Sequence, residues 1–319
     1  MSAFRQPPGE GDPQDRFLEA ADGLRLCYRT YGNAGDPPAL LIAGLGLQLT
    51  SWPASFIDTL VDAGYYVIAP DNRDAGRSST VRQAPPGKLR QLLGWAPPGS
   101  YGLEDMADDM ALLLDHLQAD DAHLIGMSMG GMIAQCMAAR YPARARSLTS
   151  IFSTTGARRV GRPAFSTLLR MARAAPRDET EAVAGFAAMM RHIGDPGVTG
   201  IAAEWERYAL EAWRRNGNRA NAGGIGRQIG AILKSGDRSH QLRRISASTL
   251  VLHGEVDLMV APSGGRATAA AIPGARLVSL PRLRHQIDEA RVPELMGHIV
   301  PHLARSARPA SAVVATART

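Results

Sequence analysis

Ser128 stands in Gly126-Met127-Ser128-Met129-Gly130, a serine with a glycine two residues to either side. That spacing suits a sharp turn from strand into helix. Neighbouring backbone passes too close there for a Cβ, and the serine takes a strained conformation. The flanks agree: His123-Leu124-Ile125 is an apolar run of strand type, and a helix-forming run continues to Tyr141-Pro142. Such a nucleophile elbow projects the hydroxyl into a cleft and aims the first N–H groups of the helix at the same point. The hydroxyl then needs a base to take its proton, and the base needs a partner to hold its tautomer.

Histidine, with an ordinary pKa of ~6.5, can take and return that proton. The chain has eight. His116 and His192 fall in expected helices, His123 opens the elbow strand, His298 and His302 lie in the last helix, and His240 is near the end of a helical stretch. His285 instead follows an expected strand at 276–280, in a short loop before a new helix. Loops at the carboxyl ends of parallel strands form the ligand crevice of α/β sheets, so His285 and Ser128 are expected on one edge. The orienting acid is sought on the same edge, after a strand at 249–253, where Glu255 and Asp257 both stand. Asp257 is preferred because the loop needs a few residues to turn toward the histidine; His253 reads as structural.

An oxyanion formed during attack needs donors already in place. The expected ones are the N–H of Met129, next to the serine, and that of Leu45, in the turn Ala43-Gly44-Leu45-Gly46-Leu47 after a strand at 39–42. This turn lacks the third glycine of a dinucleotide fingerprint. No cofactor and no metal is expected.

Strands are expected at 17–19 and 24–30, then alternating strand and helix. Strands at 39–42, 65–69, the elbow run and 147–152 alternate with helices at 54–62, 101–117 and after Ser128. This order makes an α/β protein with a mostly parallel sheet. From 156 to 243 the pattern is helix after helix (163–174, 179–192, 201–215, 225–233), an inserted helical cap. Alternation resumes with 249–253, a helix at 263–272, 276–280 and a helix at 293–303. The expected division is a loose arm 1–15, a core of 16–155 and 244–304, the cap 156–243 and a frayed tail 305–319.

The 319 residues are 45% hydrophobic, which allows a sizeable core. No apolar run of ~20 residues and no signal-like start is present, so no membrane span and a cytoplasmic location are expected. The formal charge of +6 is nearly all arginine and reads as dispersed, so no nucleic-acid partner is expected. Clusters at Arg158-Arg159, Arg162 and Arg214-Arg215 read as solvated faces. Cys27 and Cys136 read as buried small residues rather than a disulfide.

The order Ser128, Asp257, His285 with this elbow resembles the α/β-hydrolase fold superfamily from about residue 16 to 304. Further pieces are Asp71-Asn72-Arg73-Asp74-Ala75-Gly76-Arg77-Ser78 and Leu250-Val251-Leu252-His253-Gly254-Glu255-Val256-Asp257. Trp52-Pro53 and the Asn72-Arg73-Asp74 stretch look like the subgroup containing aclacinomycin methylesterase. The resemblance implies a carboxylic ester hydrolase with a helical cap over its site. Two departures stand out: Ala43 replaces a histidine common before the oxyanion donor, and Arg284 replaces a glycine common before the histidine. Serine at the elbow implies acyl transfer to water through an acyl-enzyme, on a small-molecule ester of small to medium size. The alternatives are carbon–carbon hydrolysis of a β-diketone-like substrate, or a low-turnover ligand-binding protein on this fold. Met171, Met189, Met190, Trp205 and Trp213 are candidate pocket residues, and the 82–100 loop is a candidate flap. Oligomeric state stays open.

Overall fold

The computed structural model describes residues 4–5, 14–87, 90, 94–195, 197–198 and 200–306. Most of the expected arm 1–15 and of the tail 305–319 lies outside the described residues. Eight strands form one sheet: β1 (Arg16–Glu19), β2 (Arg25–Tyr31), β3 (Pro38–Ile42), β4 (Tyr66–Pro70), β5 (Ala122–Met127), β6 (Ala145–Ile151), β7 (Ser248–Gly254) and β8 (Arg276–Leu280). Their order across the sheet is β8-β7-β6-β5-β3-β4-β2-β1. The β1–β2 and β2–β4 pairs are antiparallel and all others parallel.

The central strands are apolar on both faces because helices cover both sides. Leu40, Ile42 and Leu124 pack toward α2 (Leu103–His116) and α3 (Met129–Arg140). Ala39, Leu41, Ile125 and Leu252 pack on the other side with Phe56 and Leu60 of α1 (Ala54–Asp62) and with residues of the last helix. Helix α3 is buried from Met129 to Ala138, which explains a composition apolar all round rather than on one stripe.

Register decides where the loops emerge. Ile42 pairs with Gly126, Met127 with Ile151, and Leu280 with Gly254. The carboxyl ends of β3, β5, β6, β7 and β8 therefore open on one edge of the sheet.

Between β6 and β7 run α4 (Phe165–Met171), α5 (Glu179–Ile193), α6 (Ala202–Arg215), α7 (Ala222–Ser235) and the short α8 (Ser239–Leu242). After β7 come α9 (Ser263–Ala271) and α10 (Val292–Arg305). Helix α4 ends at Met171, short of the expected 174, and α8 was not expected from the pattern. Helices α5 and α6 pack together, with the rings of Phe186 and Tyr208 5.0 Å apart.

Asp15, placed by the sequence in a loose arm, has a fully buried side chain. It accepts from Arg29 Nε at 2.7 Å and from Arg215 Nη1 at 2.8 Å. A buried carboxylate is held in place by its cations, so this residue is tied to β2 and α6.

Candidate active site

Ser128 sits between the end of β5 and the start of α3 with φ 56° and ψ −120°, a region costly for a residue with a Cβ. The turn closes so tightly that a Cβ at Gly126 would overlap the carbonyl oxygen of Gly130. One at Gly130 would overlap that of Ile42. Ser128 N–H donates to Ile151 O at 2.9 Å, and Ser153 Oγ donates to Ser128 O at 2.8 Å, so the strained residue is held by strand β6 and the loop after it.

His285 Nε2 lies 2.9 Å from Ser128 Oγ, and its Nδ1 lies 2.7 Å from Asp257 Oδ2. With the ring proton on Nδ1, the histidine donates to the carboxylate and accepts from the serine. Asp257 has a second set of donors: the N–H groups of Met259 and Val260 reach its Oδ1 at 2.8 and 2.9 Å. Those bonds fix the orientation of the buried carboxylate. Glu255, the other acid weighed from the sequence, takes part in no such contact; its N–H continues the strand to Leu280 O.

The loop after β3 runs beside the serine. A Cβ on Gly44 would stand 3.3 Å from Ser128 Cβ, so the loop can pass this close to the serine because residue 44 has none. Met129 is the first residue of α3, and its N–H is one of the donors that a helix leaves unsatisfied at its start.

The inserted helices hold both of these loops, which the sequence did not reveal. Gly46 N–H donates to Gln228 Oε1 of α7 at 2.8 Å, and Gln228 Nε2 returns a bond to Arg73 O at 2.9 Å. Gln48 N–H donates to Tyr208 Oη at 3.1 Å, and its Nε2 donates to Ala212 O at 2.8 Å. His285 N–H donates to Ile193 O at 2.9 Å at the end of α5. Arg284, half-buried, donates from Nη1 to His192 O at 3.0 Å.

Arg215 corrects the solvated-face reading. It is 5% exposed and donates to Asp71 Oδ2 at 2.8 Å, to Gln48 Oε1 at 3.0 Å and to Asp15. Asp71 also accepts from Leu49 N–H at 2.7 Å and from Arg77 N–H at 2.9 Å. The nearby Cys27 thiol is pushed far up, first by burial and then by Asp71 and Asp15. Both cysteines are free and buried.

The other buried histidines serve packing. His123 Nδ1 meets Ser147 Oγ at 2.8 Å, and His302 Nε2 donates to Leu148 O at 3.2 Å. Burial brings each down to about 4. His253 Nε2 donates to Val260 O at 2.8 Å, steadying the loop that carries Asp257.

Ser128 and His285 open into a cavity of about 1040 Å³. Its walls include Trp52, Phe152, Phe186, Met189, Trp205 and Tyr208. Met171 and Met190 also reach it, whereas Trp213 packs elsewhere, as do the described residues of the 82–100 loop. Pro85 of that loop faces Gly226 of α7. Among the described residues no group of three or more His, Cys, Asp or Glu side chains is arranged to hold a metal, and no helix is long and apolar enough to cross a membrane.

The sequence pattern of the alpha/beta hydrolase fold family matches residues 37–287, and the chain belongs to that family. It is 29% identical over 303 residues to the rhodomycin D methylesterase DnrP of Streptomyces peucetius, across 88% of this chain and 95% of that one. The rhodomycin D methylesterase DauP of Streptomyces sp. (strain C5) is 28% identical over 310 residues, with the same coverage. The enol-lactonase of Burkholderia xenovorans LB400 shares the fold, with a TM-score of 0.68 at 23% identity over 91% of this chain and 100% of that one. Within the family, the chain is a carboxylic ester hydrolase.

Proposed function

We propose that the protein cleaves carboxylic esters of small to medium size through an acyl-enzyme on Ser128. The observation that carries this reading is the continuous path from Ser128 Oγ through His285 to Asp257, at 2.9 and 2.7 Å. Ser128 Oγ attacks the ester carbonyl carbon while His285 Nε2 takes the hydroxyl proton. Asp257 keeps the ring in the needed tautomer and stabilises the imidazolium. The N–H groups of Leu45 and Met129 receive the negative oxygen; losing one such donor typically costs about 3–4 kcal/mol of transition-state stabilisation. His285 then gives its proton to the departing alcohol. A water, deprotonated by the same nitrogen, attacks the acyl-enzyme and releases the acid and the free serine.

The helices at 156–243 act in this reading as a cap roofing the cleft, and the core as 16–155 with 244–304. A cavity of about 1040 Å³ with several aromatic and methionine walls suits a bulky apolar acyl group. The rhodomycin D methylesterases, which match over most of their length, favour methanol as the leaving alcohol.

The test is labelling with a fluorophosphonate followed by peptide mapping, beside an ester series that varies the acyl and alcohol parts separately. The adduct is expected on Ser128, with methyl esters of bulky acids turned over and Ser128→Ala inert. A label on another residue, or full turnover by Ser128→Ala, rejects the proposal.

A further inference from the structure

Helix α4 is folded inside out for a surface helix. Its Thr167 is buried and donates to Leu258 O at 2.9 Å, while Phe165, Leu168 and Leu169 are 75%, 47% and 58% exposed. With Ala172, these apolar residues fall within an arc of about 100° on the outward side. Amphipathic helices of globular proteins turn that stripe to the core. The orientation is enforced rather than loose: Gly161 N–H donates to Ser263 Oγ at 3.0 Å and Ala164 N–H to Leu258 O at 2.9 Å, on the core side.

Charge flanks the stripe along the chain. Residues 156–177 hold six arginines and no acid, which equals the formal excess of +6 for the whole chain. The surplus that looks dispersed along the sequence is therefore matched by one 22-residue segment. Arg158, Arg159, Arg162 and Arg173 are exposed, and among the described residues none of them makes an ion pair. The segment also borders the cavity, because Arg170, Met171, Arg173, Ala174 and Pro176 line it while Met171, Arg173 and Ala174 remain exposed.

We propose that the outward face of α4 docks on an anionic lipid surface, with Phe165, Leu168 and Leu169 entering the headgroup region and the flanking arginines meeting lipid phosphates. Exposed aliphatic and aromatic side chains ringed by cations are the signature of interfacial binding. A nucleic acid would match the charge but leave the apolar stripe in water. The position at the cavity edge turns the opening toward the bilayer, where apolar esters dissolve; this consequence alone rests on the ester-hydrolase reading.

The test is co-sedimentation of the full chain with phosphatidylglycerol vesicles and, as control, phosphatidylcholine vesicles. The protein is expected to pellet with the first, to stay in solution with the second, and to be released by salt. Leu168→Ser with Leu169→Ser is expected to weaken binding roughly ten-fold or more. Arg158→Gln, Arg159→Gln and Arg162→Gln together should weaken it roughly five-fold per arginine. Both variants should hydrolyse a soluble short-chain ester like the wild type, since none of these side chains lines the cavity. Ser128→Ala should bind vesicles unchanged, which separates docking from turnover. Absence of binding to phosphatidylglycerol overturns the proposal, as does binding that neither variant weakens. A dimer that Leu168→Ser with Leu169→Ser dissociates, without vesicle binding by the wild type, makes the face a contact between copies and also overturns it.

Discussion

Two buried polar assemblies stand on either side of the 43–49 loop, and they solve the cost of burying charge in opposite ways. Around Ser128, one carboxylate is satisfied by a histidine and two backbone N–H groups, and no permanent cation touches it. Around Asp71, two carboxylates are matched by the guanidinium groups of Arg29, Arg77 and Arg215. An arginine cannot give up its proton under ordinary conditions, so the second assembly can only hold. An imidazole can, so the first is able to move a proton. Burial is similar in both; on the proposed reading, the choice of cation separates a reacting site from a clamp.

Removing a member of each assembly should tell them apart. In the first, Ser128→Ala is expected to lower kcat by about 10⁶ and Asp257→Asn by about 10⁴. Ser128→Ala should leave the urea unfolding midpoint near that of the wild type. In the second, Arg215→Met leaves Asp15 and Asp71 short of a partner in a dry site. It is expected to cost about 3–5 kcal/mol of stability by urea unfolding, with a far smaller change in kcat than Ser128→Ala. A variant with wild-type stability would mean the arginine cluster does not clamp the helices to the sheet.

A smaller effect probes the hold on the loop beside the serine. Gln228→Leu leaves the Gly46 N–H without its acceptor and loosens the loop carrying Leu45. The expected result is a drop in kcat of roughly ten-fold, about 1.4 kcal/mol, with KM nearly unchanged. An altered KM at constant kcat would instead make Gln228 a wall of the pocket.

The smallest effect concerns pH and the histidines that do not react. His123 and His302 are held near 4 by burial, below the ~6.5 of an unfolded chain. As pH falls from about 6.5 to about 4 the unfolded state takes up these protons first, so the stability they contribute is lost over that window. The Asp288 carboxyl, pushed up to about 6 chiefly by burial, works in the opposite sense and blunts the slope. Comparing urea midpoints of wild type and His302→Gln at pH 7 and pH 5 isolates the histidine, and the variant should lose less stability on acidification.

Much of the sheet was legible because a strand covered on both faces must be continuously apolar, as at 39–42 and 122–127. The elbow was legible for a steric reason, since only glycine fits at 126 and 130. The order of strand ends then nominated His285 and Asp257, and the fold brings both within hydrogen-bond distance of their partners. A residue whose role depends on distant partners was not legible in this way. Arg215 resembles any arginine at the end of a helix with charged residues on it. Nothing local says that Asp71, 144 positions earlier, is waiting beside it. Asp15 was misread for the same reason.

The amino-acid order alone determined the alternation of strand and helix, the glycine-framed serine and the chemistry open to it, because steric and hydrophobic constraints act over a few neighbouring residues. Only the tertiary structure decided which arginine is a buried clamp, which helix turns its apolar face outward, and which glutamine holds the loop beside the serine. Those outcomes depend on what packs against each side chain, and the packing partners lie 91 to 200 residues apart in the chain.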